Sequence, residues 1–233
     1  RQMARDNVGW GAPRIHRELR KLGFVVSEAT VSRALPRRSG PPSQTWRTFL
    51  ANHRPRAAAI DFLVVPTVTF RVRYVFVVRA HARRRIVYFH VTDAPSAQWT
   101  AQQVIHAFPS ETAPRYLHRD RDALYGNDFI SRVGAMGITE VVSAARSPWQ
   151  NPYVERVIGS VRRECTDHVI VTGAAHLQRV LREYVAYYNT DRTHLALAKD
   201  SPATRPVRPL RCRQVIALPR VGGLHHRYER WVA

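Results

Sequence analysis

The run Ala57-Ala58-Ala59-Ile60-Asp61-Phe62-Leu63-Val64-Val65 constrains the fold of this chain more than any other stretch. Small and apolar residues in an unbroken series of this length read as a buried strand. One carboxylate, Asp61, interrupts the series. Ionising it in such surroundings is costly unless a cation stands beside it, so the strand carries the first sign of a site. Further strand-like runs lie at about 72–79, 84–91, 115–118 and 139–142, and helix-like stretches at about 97–107, 126–135, 152–167 and 175–189. Three strands followed by alternating helices and strands predict an α/β fold, a mixed sheet covered by helices on both faces.

Two more acids fall where such a fold can use them. Asp120 follows the short strand Arg115–His118 and precedes a turn, the usual place for a functional side chain at a strand's end. Glu155 sits on the helix that opens after Asn151. The acids are 59 and 35 residues apart in sequence, room for two strands plus a helix in the first gap and a helix plus a strand in the second. Three carboxylates folded onto one point suit phosphoryl transfer with two Mg²⁺ (or Mn²⁺) ions roughly 3.5–4 Å apart, one activating the attacking oxygen and one stabilising the leaving oxygen. The competing reading is three ordinary acids among the chain's 17, each paired with an arginine.

The helix carrying Glu155 is the best local test. Asn151 is a good N-cap and Pro152 a good first helical residue. Val154, Val157, Ile158 and Val161 then recur at i, i+3, i+4 and i+7, an apolar face that buries against a core. Glu155 lies beside that stripe, Arg162 projects from the same side almost two turns on, and Gly159 leaves the face between them open. A carboxylate and a guanidinium flanking a bare patch suit a metal and a DNA phosphate. A solvated charged face is the bland alternative.

The blocks HRDRDALYG, SPWQNPYVER…RREC and YYNTDRTHLAL…SP resemble the signatures of bacterial insertion-sequence transposases with a retroviral-integrase-type catalytic core. The likeness runs from about Trp10 to Pro206 and includes Tyr188, Asn189, Arg192, His194, Leu197 and Pro202 in the family's order. It implies a ribonuclease-H-like fold with Asp61, Asp120 and Glu155 as the catalytic, metal-binding Asp-Asp-Glu triad. It also implies that Arg162, with Arg163 beside it, approaches the transposon end. Two departures stand out: Ala80 where many relatives have Asp, and Asp122 where they have Gly. Asp122 adds a carboxylate near the triad, either as an outer partner or as a neutral variation.

Charge points to the same partner. Lys and Arg number 37 against 17 Asp and Glu, a net +20, and arginine supplies nearly all of the excess. Such a chain is drawn to phosphate backbones with an affinity that falls steeply with salt. The expected partner is double-stranded DNA, both element ends and target, bound by a homo-oligomer. Charge clusters at Arg37-Arg38, Arg54, Arg56, Arg205, Arg208, Arg211, Arg213 and Arg220, outside the expected core.

Around a core at 57–200 the sequence suggests three appendages. Residues 1–35 read as two helices, the first with Ile15, Leu19 and Leu22 on one face and stopped by Gly23, the second capped by Ser27. This pair resembles part of a helix-turn-helix exposing Glu28, Ser32 and Arg33 to DNA; a plain helical hairpin fits equally. Residues 36–56 form a basic linker and 201–233 a basic tail, in which His225 and His226 read as solvated or phosphate-facing. The start at Arg1 without Met suggests the downstream part of a longer protein or a truncated copy. Cys165 and Cys212 have no metal-ligand spacing or disulfide framework, and there is no long apolar run or signal peptide, so a bacterial cytoplasmic, nucleoid-associated protein with no membrane partner is expected. The functional reading is metal-dependent DNA cleavage and strand transfer. The alternatives are a decayed, noncatalytic DNA-binding remnant and a ribonuclease-H-like nuclease.

Overall fold

A computed structural model of the chain describes residues 2–7, 10–35, 48, 52–109, 112–144, 151–207 and 214–231. It divides into two compact units, Arg1–Thr45 and Trp46–Ala233. The first holds α1 (Gln2–Asp6), α2 (Ala12–Lys21) and α3 (Glu28–Ala34). Gly23 takes a left-handed φ of +85° just past α2, the conformation expected of a glycine that ends a helix. Ser27 caps α3, its hydroxyl accepting the Thr30 amide at 3.1 Å. The expected apolar face is only partly used: Ile15 and Val31 are buried, whereas Leu22 is 61% exposed. Most of the expected linker, 36–47 and 49–51, lies outside the described residues; its end, Arg54–Arg56, is a short 3-10 turn leading into the sheet.

The second unit is built on a five-stranded mixed sheet. Its strands are β1 (Ala57–Pro66), β2 (Val72–Ala80), β3 (Ile86–Thr92), β4 (Tyr116–Arg119) and β5 (Thr139–Val142). Their order is β3-β2-β1-β4-β5. The β1–β2–β3 meander is antiparallel, and β4 and β5 add in parallel. The helices are α4 (Ala97–Ala107), α5 (Asn127–Ala135), α6 (Pro152–Glu164) and α7 (Ala174–Thr190).

Side-chain alternation along β1 sorts two cores. Ala58 and Ile60, with Phe76, Val78 and Leu117, pack under α4 and α5 through Val104, Phe108, Phe129 and Val133. Ala59, Leu63 and Val65, with Val75 and Val77, pack under α6 and α7. All four residues of the α6 stripe, Val154, Val157, Ile158 and Val161, are buried there. Asp61 shares the face of Ala59 and Leu63, so it points toward α6.

The block YYNTDRTH is a clamp for this architecture. Asn189 lies against the edge strand β3: its Oδ1 accepts the Ile86 amide at 3.0 Å and its Nδ2 donates to the Ile86 carbonyl at 2.8 Å. Arg192 forks onto Glu164, at 2.7 and 2.6 Å, and ties α7 to the end of α6. Asp191, buried, accepts Arg220 and Arg227, each at 2.9 Å. Those two arginines belong to a β-hairpin, β6 (Gln214–Arg220) and β7 (His225–Trp231), where the sequence suggested only a basic tail. Ionic docking onto Asp191 replaces the apolar signal that a sequence pattern detects.

Candidate active site

Register brings the acids together. The β1–β4 ladder pairs Ala58 with Leu117 and Ala59 with His118; two residues further on, Asp120 leaves the end of β4 abreast of Asp61. The neighbours of Asp120 hold it there. His118 Nε2 meets the Ser143 hydroxyl at 3.0 Å, and Arg121 Nε donates to the Ser143 carbonyl at 3.0 Å. Arg119 pairs with Glu140 across β4–β5, lies over the rings of Tyr125 and Phe129, and donates to the Asp120 carbonyl at 2.9 Å. Of the HRDRD series, His118, Arg119 and Arg121 are spent on fixing the strand end, leaving Asp120 exposed.

The third acid arrives from α6. Asn151 opens the helix without a side-chain cap; its Nδ2 donates instead to the Ile60 carbonyl at 3.4 Å, pinning the start of α6 beside Asp61. Asn151 thus holds the N-cap position expected of it, with Pro152 opening the helix, but its side chain bonds β1 and not the helix's own amides. Glu155, in the first turn, is exposed.

The carboxylates lie within electrostatic reach of one another. Burial pushes the Asp61 carboxyl from 3.8 up to about 7, the Phe62 amide at 2.7 Å draws it back, and Asp120, Glu155 and Asp122 push it further up. The Glu155 carboxyl is also raised, by burial and then by Asp120. Burial and the neighbouring acids lead both shifts, and no cation is among their leading causes. Among the described residues, no three carboxylate, imidazole or thiol groups stand close enough to make a ready ligand shell. The acids are within electrostatic reach of one another but not drawn in, as mutual repulsion dictates. An all-oxygen donor set carrying unbalanced negative charge fits hard divalent ions.

The other expected residues fare differently. Asp122 caps the turn after Asp120: its Oδ1 accepts the Leu124 amide at 2.9 Å, and its own amide donates to Asp120 Oδ1 at 3.2 Å. Arg162 is exposed and lines a groove with Val64–Val68 and Thr166–Val171, well along the helix from Glu155. The patch at Gly159 is not bare, because the Arg163 guanidinium lies across it; a Cβ there would meet Arg163 Nη1 at 3.0 Å. Ser32 and Arg33 are exposed on α3, in the other unit. Arg37, Arg38, Arg208, Arg211, Arg213 and Cys212 lie outside the described residues. His225 is neither solvated nor phosphate-facing: it stacks on Tyr187 at 4.3 Å and bonds the Glu164 carbonyl at 2.7 Å. Cys165 is buried in the core, its thiol pushed up to about 12.

Sequence reasoning missed Tyr125. Its hydroxyl is buried without a hydrogen-bond partner, and Asp61, Asp120 and Asp122 all add to the upward shift that burial imposes on the phenol. The residue stands in the ALYG stretch beside the acids, where an aromatic reads simply as core.

Comparison with known proteins gives the fold a context. Residues 136–202 match the integrase core domain family. No curated protein matches. Among solved structures, the chain is similar to the integrase catalytic core domain of HTLV-2 in complex with magnesium, at 9% identity and a TM-score of 0.52 over 64% of this chain and 93% of that one. It is similar to the Mos1 transposase catalytic domain with raltegravir and Mg, at 12% identity and a TM-score of 0.52 over 60% and 78%. A simian T-cell lymphotropic virus intasome chain matches at 11% identity and a TM-score of 0.53, over 75% of this chain and 66%, just under two thirds, of that one. The fold is ribonuclease-H-like, the fold of integrase and transposase catalytic domains.

Proposed function

We propose that the chain is a DNA transposase or integrase that cleaves element ends and transfers them to target DNA, acting in the bacterial cytoplasm as a homo-oligomer. What supports this reading is that Asp120 and Glu155 both raise the Asp61 carboxyl, so the three acids lie within electrostatic reach of one another on a ribonuclease-H-like sheet, in a chain of net charge +20. The three carboxylates are the ligands that would hold Mg²⁺ or Mn²⁺. Bound there, a pair of such ions supplies Lewis-acid activation of the attacking oxygen and stabilisation of the leaving one. Asp61, held up to about 7, is the acid whose ionisation depends most on a cation arriving. Water attacks in the first step and the freed 3′-hydroxyl in the second, so no protein nucleophile is required. Arg162 and Arg163 remain candidates for contacting DNA along α6, and Ser32 and Arg33 for contacts made by the first unit.

The YYNTDRTH block no longer separates strand transfer from simple hydrolysis, because its residues hold the fold together. The test is an assay with Mg²⁺ on DNA carrying the element's own ends, scoring nicked and joined products separately. Wild type should give both. Asp61→Asn, Asp120→Asn and Glu155→Gln should each give neither while retaining DNA affinity. Nicking without joining would mark a nuclease. Binding without either product in wild type would mark a noncatalytic remnant.

A further inference from the structure

Around Tyr153, at the start of α6, several buried nitrogen donors lack acceptors. Arg79 and His81 are 2% and 3% exposed. Arg79 Nη1 meets His81 Nδ1 at 2.9 Å. A guanidinium only donates, so His81 Nδ1 accepts and its Nε2 carries the proton. That Nε2, together with Arg79 Nε and Arg84 Nε, is buried with no hydrogen-bond partner. Tyr153 is the common neighbour, lying 5.2 Å from the Arg79 guanidinium and 5.2 Å from the His81 ring. Arg54 reaches the same place, donating to the His81 carbonyl at 3.2 Å.

The positive charge is concentrated and unbalanced. Burial holds Arg79 down to about 10, with Arg84 and Arg54 adding to the effect. Arg84 is lowered by burial and then by Arg156 and Arg54. No carboxylate forms a salt bridge to Arg54, Arg79, Arg84 or Arg156 among the described residues. Leaving buried donors unmade costs about 1–3 kcal/mol each, so several at one spot favour a partner there, ordered water or an anionic ligand.

The backbone is shaped to put them there. The β2–β3 ladder slips register between Val78 and Arg79, an irregularity of the kind that re-aims a side chain. Arg83 and Arg84 both take left-handed φ values, 45° and 62°, which L-residues adopt at a cost. Arg83 is fastened by bonds to the Pro202 and Ser201 carbonyls and to Asp200, which holds the strained turn and Arg84 with it.

We infer that Arg79, Arg84 and His81, with Arg54 and Arg156 at the rim, form a binding site for a DNA backbone phosphate beside the first turn of α6, on a nucleotide flanking the cleavage point. This rests on the functional reading above and deepens it. The donors are sequence-blind, so the site positions the strand and does not read bases.

Two measurements on the full chain test it, with Arg84→Ala, Arg156→Ala and the exposed Arg182→Ala as control. In the first, pyrophosphate is titrated and the melting temperature followed, with no DNA present. Wild type and Arg182→Ala should be stabilised, and Arg84→Ala and Arg156→Ala should not; equal stabilisation of all four overturns the site whatever the enzyme does. In the second, single phosphates near the cleavage point are made neutral methylphosphonates. Wild type should lose affinity about tenfold at one flanking position. Arg84→Ala and Arg156→Ala should already be weaker and lose nothing more there. Their salt slope should be shallower by about 0.9 per contact removed. A pyrophosphate response without that position-specific loss overturns the assignment to DNA and leaves a free-anion site. Failure of the functional reading shows itself separately, as intact Mg²⁺-dependent cleavage in Glu155→Gln.

Discussion

Asp61, Asp120 and Glu155 are each positioned by what their neighbours do. Asp61 is an interruption in a buried strand, Asp120 is what remains when His118, Arg119 and Arg121 are tied to β5, and Glu155 is set by Asn151 on the Ile60 carbonyl. Asn151→Ala should therefore lower cleavage more than it lowers stability, checked by comparing kcat with the melting temperature. Gly159 gives an opposite prediction. A Cβ there meets only the mobile end of Arg163, so Gly159→Ala should raise stability by about 1 kcal/mol, the usual gain for alanine over glycine inside a helix, measured by urea unfolding. The Arg163 overlay was not readable from sequence, because helical spacing says which residues share a face and not which long side chain folds across it.

At the scale of elements, the strands and helices of the second unit were legible because their periods were strong: the β1 run, the valine stripe of α6 and the helix-like stretch at 175–189 all fall where expected. The hairpin 214–231 was not: the tail shows one short apolar stretch, Val215–Leu218, and its partner strand His225–Trp231 is polar and docks through arginines on the buried Asp191. The outcome bears on DNA binding. Arg220 and Arg227 are engaged in docking the hairpin, so deleting residues 205–233 should destabilise the core as well as weaken binding. Asp191→Asn is the cleaner probe. It should release the hairpin at a cost of about 1–3 kcal/mol, seen as faster hydrogen exchange in β6 and β7 with β1–β5 still protected. Unchanged exchange there would show that the apolar contacts alone hold it.

At the scale of the whole molecule, the buried imidazoles set an acid limit. Burial holds His81 down to about 3 and His118 and His194 to about 4, against an ordinary 6.5. A depressed folded value means stability that is full above 6.5 and is lost as pH falls toward 4 and below. Asp61 acts in the opposite sense: its raised value favours the neutral acid in the fold, a contribution present below 3.8 and lost as pH rises to about 7. Three histidines outweigh one carboxyl, so the melting temperature should fall from pH 6.5 to 4.5. Asp61→Asn, which removes the opposing group, should steepen that fall. A flat profile in calorimetry would contradict the burial of these rings.

The central claim is that Asp61, Asp120 and Glu155 hold divalent ions at one point, and locating the ions tests it most directly. Crystals of the protein soaked in Mn²⁺ and measured at the manganese absorption edge should show anomalous density bounded by oxygens of all three carboxylates. The density should be lost from Glu155→Gln crystals or confined there to Asp61 and Asp120. Density on Asp122 without Glu155, or none within reach of Asp61, would contradict the account.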